Sequence, residues 1–130
     1  IRPVPGQDPE KILSNLKKYL KENGFEAAQI VVHSMYRSGY TKPGEAIVRA
    51  TVNAAIKAYG KEPSVSPLSG GSGPMYYFTN IAGTPMSGAG VGYYGSKAHA
   101  PNENIRVRDF VNGMKHFALT LIEFSALARK

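Results

Sequence analysis

Apolar and polar positions alternate along this chain with helical spacing in three places. Ile12, Leu13, Leu16, Tyr19 and Leu20 fall at three- and four-residue intervals among lysines and glutamates, which predicts an amphipathic helix. Asp8 is its natural N-cap, and Pro9 suits the first helical position, where a missing N–H costs nothing. Asn23 and Gly24 end it, with Gly24 supplying a left-handed cap. Residues 29–35 (QIVVHSM) read as a strand, and residues 1–4 as the end of another, stopped by Pro3 and Pro5. Together they predict a strand–helix–strand unit about the size of a crossover, too small to bury a core of its own.

Ser38-Gly39 and Lys42-Pro43-Gly44 punctuate the chain and predict a domain boundary. A second helix follows over residues 45–59, with Val48, Val52, Ala55, Ile56 and Tyr59 on one face and Gly60 closing it. A proline- and serine-rich loop leads into Ser69-Gly70-Gly71-Ser72-Gly73-Pro74, and Pro74 can open a short helix over residues 75–82. Residues 84–92 (TPMSGAGVG) read as a buried, glycine-rich strand. Phe110, Val111, Met114, Phe117, Ala118, Leu121, Ile122 and Ser125 mark a long final helix. The second half is part of an α/β layer with too few strands to make a sheet.

Composition narrows the chemistry. The 130 residues contain no cysteine, which removes disulfides, thiolate catalysis and cysteine-based zinc sites and leaves His, Asp and Glu as metal ligands. Sixteen basic residues against nine acidic ones give a net charge of +7, but the charge is dispersed along helices, with no arginine-rich block and no nucleic-acid motif. No nucleic-acid partner is expected. No apolar run approaches the ~20 residues of a membrane span, and the first residues lack the apolar core of an export signal. The expected setting is the cytoplasm, away from membranes.

Chemistry concentrates in residues 92–110 (GYYGSKAHAPNENIRVRDF). His99 sits after a predicted strand end, where α/β proteins place their sites, and its neighbours Ala98 and Ala100 leave the imidazole free to approach an ion. Glu103 stands four residues on, but Pro101 breaks a helical pairing, so Glu103 is expected to act behind the ligand, as an acceptor or a brace of the loop. The turn from Ser69 to Pro74 can present backbone N–H groups to an anion; a flexible linker is the plainer alternative. It is no nucleotide-binding loop, because no Gly-Lys-Ser/Thr follows. A carboxylate or phosphate would suit the turn, and Arg2 can add a two-pronged clamp. His33 alternates within a predicted strand, and His116 is expected on the outer side of a helix whose core face is already full. Tyr76, Tyr77, Phe78, Tyr93 and Tyr94 are expected to pack. The chain has no His-x-Asp, no Glu-Glu pair and only two aspartates, Asp8 and Asp109, both placed at helix starts. A catalytic zinc takes about three protein ligands, and one is in view.

The run AHAPNENIRVRDFVNGMK resembles the end of the co-catalytic zinc aminoacylase and carboxypeptidase family, which includes acetylornithine deacetylase, succinyl-diaminopimelate desuccinylase, carnosine-type dipeptidases and glutamate carboxypeptidase. Further upstream, SGGSGP resembles the family's Gly-Gly-Ser-x-Pro turn, AYGKEP the helix end before it, and IRPVPGQDPEKI its Arg-x-Val-Pro junction of strand and helix. The resemblance covers essentially the whole chain, with the motifs in order.

That resemblance implies an α/β catalytic domain with two zinc ions and an inserted ferredoxin-like α+β lid that also makes a homodimer. Residues 1–37 would then be the last strand–helix–strand of the lid, and residues 38–130 the C-terminal part of the catalytic domain. His99 would ligate zinc. Arg2 would bind the substrate carboxylate, and Gly71 and Ser72 would hold the same end of the substrate. The implied reaction is zinc-assisted hydrolysis of the amide bond of a dipeptide or N-acylated amino acid by a bridging hydroxide. The family's other ligands, its general base and its lid histidine have no counterpart here, and His33 does not match the last. The chain is therefore expected to be a C-terminal fragment, inactive alone. A deacetylase or desuccinylase of the same family is the nearest alternative, and a non-catalytic dimerisation or anion-binding module the rival from another class.

Overall fold

The computed structural model describes residues 1–127; residues 128–130 of the expected 38–130 domain lie outside them. Among the described residues three α-helices form: α1 (Pro9–Glu22), α2 (Ala46–Tyr59) and α3 (Val107–Leu127). A one-turn π-helix (Tyr77–Ile81) stands between α2 and α3 in sequence. The chain divides into two compact units, one of Ile1–Tyr40 with Leu68–Thr84, the other of Thr41–Pro67 with Pro85–Lys130.

In the first unit α1 begins and ends where its local chemistry dictates. Asp8 caps it by accepting from the Glu10 N–H at 2.9 Å, and Pro9 occupies the first turn. At the other end Gly24 takes φ +78°. The Phe25 N–H reaches back to the Leu20 carbonyl at 2.9 Å, as in a Schellman motif. Arg37 then adds a second hold on the helix start, donating to both Asp8 carboxylate oxygens at 3.3 Å and to Glu10 Oε2 at 2.9 Å.

The Glu10 N–H lowers the Asp8 carboxyl below the ordinary aspartate value; partial burial works against this, and the charge of Arg37 adds to it. In turn Asp8, foremost, pushes the Arg37 guanidinium up. Because the folded carboxyl titrates below the unfolded one, the stabilisation is complete above the ordinary aspartate pKa. It declines as the pH falls past that value and is lost below the folded pKa. Asp8→Asn keeps a capping oxygen and removes the charge, so its thermal midpoint should lie below that of the wild type at neutral pH. The two should converge in strong acid, whereas a gap that persists to about pH 2 would exclude this ion pair as its cause.

The other unit is built on α2 against α3. Ala50, Ala54 and Ala55 are its buried apolar side chains, and their small size lets the helices approach closely. His116 occupies that interface. It is 6% exposed, its Nε2 donates to the Thr51 carbonyl at 2.9 Å, and its ring meets Tyr59 edge-on at 5.6 Å. The expectation that His116 faces outward is thus corrected: α3 is apolar on more than one side, and α2 covers the side that carries the histidine. Phe110, Met114, Phe117 and Leu121 are left exposed instead. Gly60 closes α2 at φ +67°, and Lys57 pairs with Glu123 across the two helices. No helix among the described residues is long and apolar enough to cross a membrane.

The expected strands at residues 1–4, 29–35 and 84–92 do not pair, and the described residues contain no sheet. Their composition suits strands, but a strand exists only through the hydrogen bonds of a neighbour. The α/β and strand–helix–strand arrangement is accordingly not formed within the described residues.

Candidate functional site

His99 stands in a loop whose two ends are fixed on α3. On the way in, Val91 crosses α3 at Gly113, where an added Cβ would come within 2.2 Å of Val91 Cγ1. Glycine weakens a helix interior by about 1 kcal/mol relative to alanine, so its presence here answers to the close crossing. On the way out, Arg106 pairs with Asp109 in the first turn of α3 and lies 4.3 Å over the Tyr93 ring, a cation–π contact.

Between these anchors Asn104 is the hub. Its N–H donates to the Ser96 carbonyl at 3.0 Å, its Oδ1 accepts from the Tyr93 hydroxyl at 2.7 Å, and its Nδ2 donates to the carbonyls of Gly95 and Asn102. Ser96, nearly buried, accepts the Tyr93 N–H on its Oγ at 2.7 Å. Gly95 leaves room for the Tyr93 ring, which a Cβ would meet at 2.6 Å. Each of these residues closes the base of the loop, and none of their side chains was singled out as functional by the sequence. Tyr93 was expected only to pack. The partners lie up to eleven residues apart, too far for any local pattern to join them.

Two turns follow one another on this base. The Ala100 N–H bonds to the Lys97 carbonyl at 2.9 Å, and the Glu103 N–H to the Ala100 carbonyl at 3.2 Å. Each turn carries a left-handed residue at its third position: His99 at φ +61° and Asn102 at φ +65°. Pro101 precedes Asn102, the pairing that a type II turn favours. Asparagine tolerates this conformation well; for histidine it costs on the order of 1–3 kcal/mol, and glycine would avoid the cost. Lys97 adds a third left-handed residue at φ +50°. The His99 imidazole thus stands exposed at a position that prefers glycine, flanked by Ala98 and Ala100. Glu103 contributes its N–H to the second turn, while its side chain is exposed beside the loop.

His99 therefore suits a single metal ligand. The chain does not close a metal centre, because among the described residues no three of His, Asp or Glu stand together as a possible cage.

The first unit brings together two of the residues expected at a carboxylate. Arg2 Nη1 donates to Ser72 Oγ at 3.2 Å across 70 residues of sequence. Both side chains are exposed. The bond uses one of the five guanidinium N–H groups and leaves the Ser72 hydroxyl proton free to point elsewhere, so one anion can accept from both. Gly71 is in the same turn, but its N–H is occupied by Ser69 Oγ at 3.2 Å. The donors that face outward are thus side chains, where the sequence suggested a backbone cradle. Beyond the turn a short helical stretch forms over residues 75–81, its last part the π-helix, and the Ala82 N–H caps the Tyr77 carbonyl at 2.9 Å. His33 is exposed and makes no part of either arrangement.

Comparison with known proteins adds a frame to these geometries. The model of peptidase family M20/M25/M40 matches residues 6–123. Among solved structures, the chain is similar to an M20 family metallo-carboxypeptidase, Sso-CP2, from Sulfolobus solfataricus, with 39% sequence identity and a TM-score of 0.82. The match covers 93% of this chain and 28% of that enzyme's chain. No curated protein sequence matches significantly.

Proposed function

Because the chain belongs to peptidase family M20/M25/M40, we propose that it works within a metallo-carboxypeptidase, supplying one zinc ligand, His99, and a carboxylate clamp, Arg2 with Ser72. The observation that carries this reading is the Arg2–Ser72 hydrogen bond, which joins two distant motifs into one anion-facing pair. The similarity to a metallo-carboxypeptidase supports it. In this reading residues 1–37 belong to a lid that also mediates a homodimer, and residues 38–130 to the catalytic domain. The remaining ligands and the general base come from residues outside this chain.

Each residue of the chain then has a defined task. The Arg2 guanidinium neutralises the terminal carboxylate of a dipeptide or N-acyl amino acid and, with the Ser72 hydroxyl, fixes its orientation. Gly71 keeps the turn slim beside that carboxylate. His99 offers its imidazole from a braced loop, and Glu103, four residues on, serves as an acceptor for the loop or the ligand. Zinc, two ions in the complete site, would supply Lewis acidity at the scissile amide when bound. A dipeptidase or carboxypeptidase specificity follows from the clamp, which would have little to hold in a substrate without a free carboxylate.

A panel of dipeptides and their C-terminal carboxamides tests this in the complete enzyme. Cleavage should stop on chelation and return with zinc. The carboxamides should be cleaved at least about tenfold less efficiently, the value of one charge-assisted hydrogen bond. Equal cleavage of both series would contradict the clamp.

A further inference from the structure

We propose that residues 37–39 form a strap that sets the spacing of Arg2 and Ser72, with Gly39 as a positioning residue. The inference rests on the carboxylate reading above. Arg2 and Ser72 stand on irregular segments that no sheet holds, yet both are tied to the two ends of this strap.

At one end is the start of α1. Arg37 bonds both oxygens of Asp8 and one of Glu10. The residues between Arg2 and Asp8 are held in a turn that leads directly into that helix start: the Gln7 N–H donates to the Val4 carbonyl at 3.1 Å, and the Val4 N–H to Gln7 Oε1 at 3.0 Å. At the other end Gly39 lies against the residues that follow Ser72. A Cβ added to Gly39 would stand 2.7 Å from the Met75 carbonyl carbon, 2.8 Å from the Tyr76 nitrogen and 2.9 Å from Met75 Cβ. None of these is the far end of a flexible side chain. Met75 in turn fills the space beside Gly73, where a Cβ would meet its Sδ at 3.0 Å and its Cε at 3.1 Å. Gly39 does not have a positive φ, so space, not backbone conformation, requires glycine there. The path from Arg2 through the helix start, Arg37, Gly39 and Met75 returns to Ser72.

The test is made in the complete enzyme, with Gly39→Ala, Arg37→Met, Arg37→Lys and Arg2→Ala, on the best dipeptide of the panel and its carboxamide. Gly39→Ala and Arg37→Met should raise KM for the dipeptide about tenfold, as expected for a weakened charge-assisted hydrogen bond, with KM and kcat for the carboxamide within about twofold of wild type. Arg37→Lys, which keeps the charge but not the fork, should fall between Arg37→Met and wild type. A crystal structure of Gly39→Ala should show Arg2 Nη1 and Ser72 Oγ separated beyond about 3.5 Å. If Gly39→Ala does not fold, Arg37→Met decides the kinetic arm. Equal rises of KM for both substrates, or a Gly39→Ala structure with Arg2 and Ser72 still paired, would overturn the strap. If Arg2→Ala fails to separate the two substrates, the carboxylate reading falls instead. The Arg2–Ser72 separation in Gly39→Ala then alone decides whether residues 37–39 set the pair.

Discussion

His99→Ala in the complete enzyme is expected to lower kcat/KM by at least about a hundredfold and to reduce bound zinc. Loss of a mere hydrogen-bond partner of a metal ligand already costs 10–100-fold, and loss of the ligand itself should cost more. The loop geometry supplies a control that separates chemistry from folding. His99 has φ +61°, a conformation that strains alanine as it strains histidine and that glycine adopts freely. His99→Gly should therefore be more stable than His99→Ala, by roughly 1 kcal/mol, and equally inactive. Thermal melts and zinc content measured on both variants check this. Recovery of activity in His99→Gly would show that the defect lies in the shape of the loop and not in a missing ligand.

Arg2→Ala should act on substrate binding. Hydrogen bonds to charged groups contribute about 1.5–3 kcal/mol, so KM for a dipeptide should rise roughly 10- to 150-fold, with some loss of turnover, while the carboxamide should be nearly unaffected. Arg2→Lys should recover only part of the loss, because an ammonium cannot bond Ser72 and a carboxylate in the fixed geometry of the guanidinium fork. Steady-state kinetics on the paired substrates measure both effects. Equal effects of Arg2→Ala on the two substrates would remove the assigned role.

What could be read from the sequence was local. Asp8, Pro9 and Gly24 act on residues within a few positions of themselves, so both ends of α1 were legible, as was the Gly60 cap of α2. That α2 and α3 are helices was equally plain, but their buried faces were not: Ala50 and Ala54 are buried in α2 while Ile56 and Tyr59 of the expected face are exposed. Nor was pairing. The β-prone residues 29–35 and 84–92 describe what a strand would need on its own side and say nothing of the partner, and no sheet forms among the described residues. His116 shows the same limit in a helix: a stripe that is apolar on several sides does not tell which side α2 will cover, and the covered one carried the histidine.

The candidate site divides along the same line. His99, Arg2, Gly71, Ser72 and Glu103 were recognisable from motifs. The Arg2–Ser72 bond spans 70 residues; the family resemblance assigned both residues to one end of the substrate, but their direct hydrogen bond has no local signal in the sequence. The bracing of the His99 loop by Tyr93, Ser96, Asn104 and Arg106 was not foreseen, since it depends on a turn geometry that the sequence leaves open. The left-handed backbone of His99 itself could not have been read either, because histidine, though commoner there than most residues, seldom adopts it.

Crystals of the complete enzyme grown with zinc, measured on both sides of the zinc absorption edge, test the central claim most directly. The account predicts an anomalous peak about 2.0–2.1 Å from an imidazole nitrogen of His99. Zinc bound at full occupancy with the His99 ring outside coordination distance would contradict it.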